Sequence, residues 1–201
     1  MNTVTPNPLP VAHKEKTDNA RTIINRFFEQ DYRLPHAAGR LHKYLGSAFA
    51  AKSRLNKMDM LNLLYFIDLL NKLVEAAETL VKEPGFREKG AVITAPTETD
   101  LQRPALYCSK LYQGETYWDY FPRHLCRAEY LDPYWTLGRC FRHKSSGEWK
   151  GLLMALFYAA AKDDANVAEH AGEADIYRSC RGLFKLVEAC HLIYVREKQE
   201  A

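Results

Sequence analysis

The 201-residue chain lacks the short signatures of the common enzyme classes. It has no GxSxG, no glycine-rich phosphate loop and no HExxH, the motifs that place a nucleophile, cradle a phosphate or bind a catalytic zinc. No reaction can therefore be assigned from a motif. We expect a non-catalytic protein. An enzyme built from the Cys and His side chains stays open, because only the geometry of a pocket would identify it.

Long apolar runs are also absent. The longest is GLLMALFYAAA at residues 151–161, whereas a helix needs about 20 apolar residues to cross a bilayer. The first sixteen residues carry three prolines and no apolar core of signal-peptide length. We expect no membrane anchor, a flexible tail over residues 1–16 and a single helical domain over 17–201.

The cysteines do not form the pattern of a disulfide framework. Their number is odd and no two are spaced as CxxC, so we expect reduced thiols and a cytoplasmic location. The five are Cys108, Cys126, Cys140, Cys180 and Cys190.

Helical periodicity is the main feature that is present, and it predicts an all-α bundle of five to seven helices. The last helix has apolar residues at spacings of 4, 3, 4, 3 and 4, beginning at Ile176 and ending at Tyr194, the seam of a packed helix. A helix after Asn56 is apolar around most of its girth, which predicts a central position. A loop-rich aromatic and basic segment is expected around 104–147, and GAVIT at 90–94 could form a short strand.

Capping residues and prolines set the expected helix boundaries. Six helices are predicted from these signals. They extend from Thr17 or Asp18 to near Tyr32, from His36 to about Arg54, from Asn56 to Pro84-Gly85, from the Asp132-Pro133 cap to His143, from a Ser145 or Ser146 cap to about Lys162, and over 173–197.

The net charge of +3 is distributed unevenly along the chain. Residues 1–57 hold ten basic and four acidic side chains, and the helix over 36–54 places Arg40, Lys43 and Arg54 within a sector of about 60°. A narrow basic stripe of this kind suits phosphate contacts. An ordinary solvated helix face is the alternative.

A second candidate surface is the stretch YWDYFPRHLCRAEYLDPYWTLGRCFRH at residues 117–143. Bases stack on aromatic rings and arginine contacts phosphates, so the mixture favours nucleic acid. The same residue types also form protein–protein hot spots. We expect at least half of the rings to be buried, with Trp118, Tyr134 and Trp135 exposed. The candidate binding residues of this stretch are Arg123, Arg127, Trp135, Arg139 and Arg142.

The same stretch contains a possible zinc set. His124 and Cys126 form one close pair, and Cys140 and His143 form a second one, which gives the ligand types of a tetrahedral site. The one-residue gap in the first pair is not typical, and buried cysteines with surface histidines explain the pattern equally well. We therefore expect no cofactor. The sequence predicts a binding protein whose partner is DNA or RNA, with a protein partner, or a zinc or Cys/His enzyme, as alternatives.

Overall fold

The computed structural model describes residues 11–50, 55–86, 103–161 and 173–200, which contain seven α-helices and no strand. The prediction of an all-α multi-helix bundle is confirmed. The helices are α1 Val11–Arg26, α2 Leu34–Ala48, α3 Lys57–Val81, α4 Arg127–Leu131, α5 Pro133–His143, α6 Ser146–Ala161 and α7 Glu173–Glu200. A π-helical turn, Phe27–Asp31, continues α1, and 3-10 turns lie at Pro104–Leu106 and Tyr117–Tyr120.

Most predicted boundaries follow from local capping. Asn56 caps α3 by accepting a hydrogen bond from the Asp59 N–H, and Asp132 caps α5 by accepting one from the Trp135 N–H. Pro35 lies in the first turn of α2, as predicted. Two boundaries differ from the prediction.

The start of α1 and the end of α2 are the two boundaries that differ. The first helix begins at Val11 instead of at Thr17 or Asp18. These two residues resemble a helix cap in the sequence, but they lie inside the helix, and Thr17 is buried. The second ends at Ala48, so it stops short of Arg54. Arg54, the GAVIT segment and residues 1–10 of the predicted tail lie outside the described residues.

The helix that is surrounded by the rest of the fold is α7 and not α3. Residues 186–196 of α7 are all buried, over three turns of helix, whereas α3 leaves four large apolar side chains exposed. The predicted α7 seam is confirmed, since all six of its residues are buried. These are Ile176, Cys180, Leu183, Val187, Cys190 and Tyr194.

The buried part of α7 also carries three polar side chains that face the loop-rich segment. Glu188, His191 and Arg196 are each 4% exposed or less, and each bonds to main-chain groups of residues 107–131. A buried polar group is tolerated when it is hydrogen-bonded. These three anchor residues therefore fix the aromatic and basic segment onto the central helix.

Gly182 of α7 is a site of close approach between two helices. A Cβ atom at this position would lie 2.9 Å from the Cη2 atom of Trp149, whose indole is buried. We expect Gly182→Ala to lower the free energy of unfolding by about 1–3 kcal/mol through overpacking. Urea denaturation measures this change.

Gly151 provides the matched control on a neighbouring helix. It lies in α6, it is exposed, and no atom lies within 4 Å of a Cβ added there. Gly151→Ala is expected to stabilise the protein by about 0.5–1 kcal/mol, because alanine restricts the unfolded chain and favours helix. Equal effects of the two substitutions would contradict the close approach at Gly182.

Candidate nucleic-acid interface

The carboxylate of Glu188 fixes the backbone beneath the first candidate arginine. It accepts hydrogen bonds from the N–H groups of Arg123 at 2.9 Å, His124 at 2.9 Å and Leu125 at 3.2 Å. Nδ1 of His124 lies 2.8 Å from the same carboxylate. Four contacts from one buried group make residues 123–125 a rigid platform from which the exposed Arg123 side chain projects.

A second buried carboxylate sets the start of α4. Glu129 accepts hydrogen bonds from the Cys126 N–H at 2.8 Å and from Lys185 Nζ at 2.5 and 2.7 Å. Burial alone would raise the pKa of Glu129, but the hydrogen bonds from Lys185 and Cys126 outweigh it and lower the pKa below the ordinary value. Glu129 is therefore ionised at neutral pH, and Arg127 follows from this fixed turn with its side chain exposed.

Arg196 holds the other end of α4. Its guanidinium donates to the carbonyl oxygens of Tyr130 at 2.7 Å and Leu131 at 3.0 Å, and it lies 5.2 Å above the Tyr130 ring. A cation at the last carbonyls of a helix is favourable. The position of α5, which follows directly, is thereby set against α7.

Three of the predicted binding residues lie together on the exposed side of α5. Trp135, Arg139 and Arg142 are exposed, and at 100° per residue they fall within about 60° of one another on the helix. The Arg139 guanidinium lies 4.7 Å from the centre of the Trp135 ring, within the range of a cation–π contact. We call these three residues the α5 face.

The prediction of exposure holds for two of the three aromatic residues selected. Trp118 and Trp135 are 60% and 37% exposed, but Tyr134 is buried, and the prediction for it is wrong. Tyr134 packs edge-on against Phe86 and its hydroxyl donates to Glu197. Its place beside Pro133 resembles a turn, yet the first turn of α5 is itself packed into the core.

The ten rings between 112 and 149 divide between core and surface. Four are buried, two are partly buried and four are exposed. The buried rings are Tyr120, Tyr130, Tyr134 and Trp149, the partly buried ones are Phe121 and Phe141, and the exposed ones are Tyr112, Tyr117, Trp118 and Trp135.

Carboxylates from outside α2 lie beside the predicted basic stripe, and the sequence of α2 does not reveal them. Arg40 and Lys43 are both exposed, but Lys43 Nζ lies 2.9 Å from Asp59 of α3. The hydrogen bond from Lys43 lowers the pKa of Asp59 below its ordinary value, so the carboxylate stays charged. Asp31 lies on the same surface cleft as Arg40 and Asp59.

His42, which sequence reasoning missed, joins α2 to the aromatic and basic segment. Its ring lies 4.4 Å from that of Phe184 and 5.6 Å from that of His124, measured between centroids. His124 in turn stacks on Phe184 at 4.1 Å. Burial lowers the pKa of His42, and the nearby His124 and Arg123 lower it further. Arg123 is therefore the candidate arginine that lies beside α2.

The four residues of the possible zinc set have different contacts and environments. His124 contacts Glu188, Cys126 caps α4, Cys140 is partly buried in α5 and His143 is exposed at the end of that helix. Burial raises the pKa of the Cys140 thiol to about 12, so it is protonated at neutral pH. Within the ranges that the structure describes, no three His, Cys, Asp or Glu side chains are grouped to hold a metal ion.

A patch of apolar side chains on α3 was also not predicted. Met58, Leu61, Leu64 and Tyr65 are 65%, 54%, 44% and 56% exposed. The sequence pattern could not reveal the patch, because a helix that is apolar around most of its girth looks the same whether or not a neighbour covers each side.

Comparison with known proteins gives no relative from which to transfer a function. No protein-family model, no curated protein and no solved structure matches the chain. Among the described residues, no helix combines the length and apolar character needed to cross a membrane. The function is therefore argued from the surface itself.

Proposed function

We propose that this is a non-catalytic binding protein whose partner is nucleic acid, and that single strands are bound through the α5 face together with Arg123 and Arg127. The observation that carries the proposal is the side-by-side exposure of Trp135, Arg139 and Arg142 on one helix. An exposed indole offers a stacking surface for a base, and guanidinium groups contact the adjoining phosphates.

The charge on the α5 face supports the proposal because it is not neutralised locally. Helix α5 contains no acidic residue after its cap, Asp132, and among the described residues neither Arg139 nor Arg142 forms an ion pair with a carboxylate. Other surface cations of the described chain do have such partners, as in the pairs Lys43–Asp59 and Lys72–Asp68. A guanidinium without a carboxylate partner breaks no ion pair when it contacts a phosphate.

The path around α7 supports the inclusion of Arg123 and Arg127. The α2 helix, the 123–126 segment and α4 all contact α7, through His42, His124 and Glu129 respectively, and α5 packs on the same helix. Arg123 and Arg127 therefore belong to segments that pack on the same helix as α2 and α5. The α2 residues Arg40 and Lys43 contribute less, because Asp59 and Asp31 lie beside them.

Replacing Trp135 by Ala tests the stacking part of the proposal. We expect binding of a single-stranded oligonucleotide to weaken by roughly 1–3 kcal/mol, which is the loss of one stacked base, and binding of a duplex to change less. Tyr177→Ala is the matched control, since Tyr177 is an aromatic residue on α7 that is 72% exposed. Fluorescence anisotropy of a labelled oligonucleotide measures both. Equal losses for the two variants would contradict a role for Trp135.

A protein-interaction module is the second candidate, and the exposed apolar patch on α3 is the observation that favours it. Contiguous apolar surface on a soluble protein is a common mark of a protein contact. Salt distinguishes the two functions, because contacts with phosphates weaken steeply as salt rises whereas an apolar contact does not.

A further inference from the structure

The exposed apolar patch on α3 lies on the side of that helix that faces away from the core. At 100° per residue, Lys57, Leu61, Leu64, Asp68 and Glu75 fall within a sector of about 60°, and all five side chains are exposed. This side is charged at Lys57 and again at Asp68 and Glu75, but it is apolar between. The buried residues of α3 lie on the opposite side of the helix, so packing among the described residues does not account for the apolar part.

Four of these residues form a seam whose two ends carry opposite charges. Lys57, Leu61, Leu64 and Asp68 are spaced 4, 3 and 4 positions apart, which is the spacing by which one helix packs along another. We call these four residues the α3 seam. Its lysine and its aspartate lie about 16 Å apart along the helix, at 1.5 Å per residue. The other two members of the apolar patch lie along one edge of the seam and widen its apolar centre.

The α3 seam is complementary to a second copy of itself that runs in the opposite direction. The midpoint between Leu61 and Leu64 is also the midpoint between Lys57 and Asp68, so a single two-fold axis through that point pairs both sets. Leu61 then faces the partner's Leu64, Lys57 faces the partner's Asp68, and each contact occurs twice. In a parallel pairing each charge would face its own copy, and like charges repel one another.

Both charges of the α3 seam are available to a partner. Lys57 is exposed and forms no ion pair within the described part of the chain. Asp68 Oδ2 lies 2.5 Å from Lys72 Nζ, in a pair whose side chains are both more than half exposed. A surface pair of this kind contributes little stability, and the second oxygen of the carboxylate can accept a further hydrogen bond.

We propose that the α3 seam binds a second copy of this chain in an antiparallel, two-fold arrangement, with the leucines at its centre and a Lys57–Asp68 pair at each end. The opposite charges at equal distances from the centre favour this occupant, because an unrelated partner does not require such symmetry. Four apolar side chains make a small interface, so the dimer forms reversibly. This inference goes beyond the proposed nucleic-acid function and does not depend on it, since no residue of the α5 face takes part.

Sedimentation velocity on the full chain, from about 1 to 500 µM, tests the association. We expect a reversible monomer–dimer equilibrium with a dissociation constant of roughly 10–100 µM and no larger species. Leu64→Glu should weaken it at least tenfold, because a carboxylate would then face the partner's Leu61. Tyr177→Glu, at an exposed position of α7, should leave it unchanged.

Three results of this experiment would overturn the proposal. One is a wild-type chain that stays monomeric at 500 µM, which would mean that a different protein or another part of the chain covers the patch. The others are an unchanged dissociation constant in Leu64→Glu and an equal loss in Tyr177→Glu.

Charge reversal tests the antiparallel pairing without touching the leucines. Lys57→Asp and Asp68→Lys each place like charges opposite one another at both ends of the interface, and each is expected to weaken self-association at least fivefold. An equimolar mixture of the two variants restores opposite charges at both ends, so it should form a heterodimer about as tightly as the wild type. Circular dichroism checks that both variants stay helical. A mixture that associates no better than the separate variants would overturn the proposal.

Discussion

Glu188→Ala is expected to lower the free energy of unfolding by about 3–5 kcal/mol. Its carboxylate is 5% exposed and accepts hydrogen bonds from three consecutive backbone N–H groups. Alanine would leave these donors without a partner, at a cost of about 1–3 kcal/mol for each one that stays buried. The His124 ring would also lose its contact at 2.8 Å.

Two control substitutions, also measured by urea denaturation, show whether the loss of stability is specific to the Glu188 carboxylate. Glu188→Gln keeps one acceptor oxygen and is expected to cost roughly half as much. Glu75→Ala removes a carboxylate of α3 that is 53% exposed and paired with Lys150 on the surface, and it should cost less than about 1 kcal/mol. If Glu188→Ala is no more destabilising than Glu75→Ala, Glu188 does not anchor the 123–125 segment.

Replacing Arg123, Arg139 and Arg142 together by Gln is expected to reduce single-strand affinity roughly 100-fold at 50 mM salt. Each phosphate contact on a single strand contributes about 0.7 to the slope of log affinity against log salt, so the triple variant should flatten that slope by about two units. The three side chains are exposed, and the helical spectrum should not change. Binding to all sequences should weaken alike, because phosphate contacts carry no base information.

The matched control removes the same charge from another helix. Lys57, Lys72 and Lys82 are exposed residues of α3 or its C-terminal end, and their joint replacement by Gln lowers the net charge by the same three units. We expect this variant to change affinity only slightly, through the long-range field. An equal loss in both triple variants would show that net charge, and not the α5 face, determines binding.

The fold class and several helix ends could be predicted because they depend on local sequence. Helical periodicity gave the α7 seam, and Asn56 and Asp132 were identified as caps from a few neighbouring residues. The central position of α7 could not be predicted in this way. Its Glu188, His191 and Arg196 look like solvent-facing residues, but their partners lie 64, 84 and 65 positions away in the chain.

The part of the candidate surface that lies on α5 could be predicted from the sequence. With Asp132-Pro133 as the start of the helix, helical periodicity puts Trp135, Arg139 and Arg142 on one face. The pairing of Lys43 with Asp59 links α2 to α3, and the neighbouring position of His42 and His124 links α2 to a distant loop. Both depend on how the helices pack, which the pattern of a single sequence does not contain.

The most direct test of the central claim is the salt dependence of binding to an unstructured single-stranded oligonucleotide. Arg123, Arg127, Arg139 and Arg142 lie on the proposed binding surface, which corresponds to three or four phosphate contacts. Log affinity is therefore expected to fall with log salt with a slope of about −2 to −3. A protein that shows no binding at low salt, or binding whose affinity does not change as salt rises, would contradict the proposed surface.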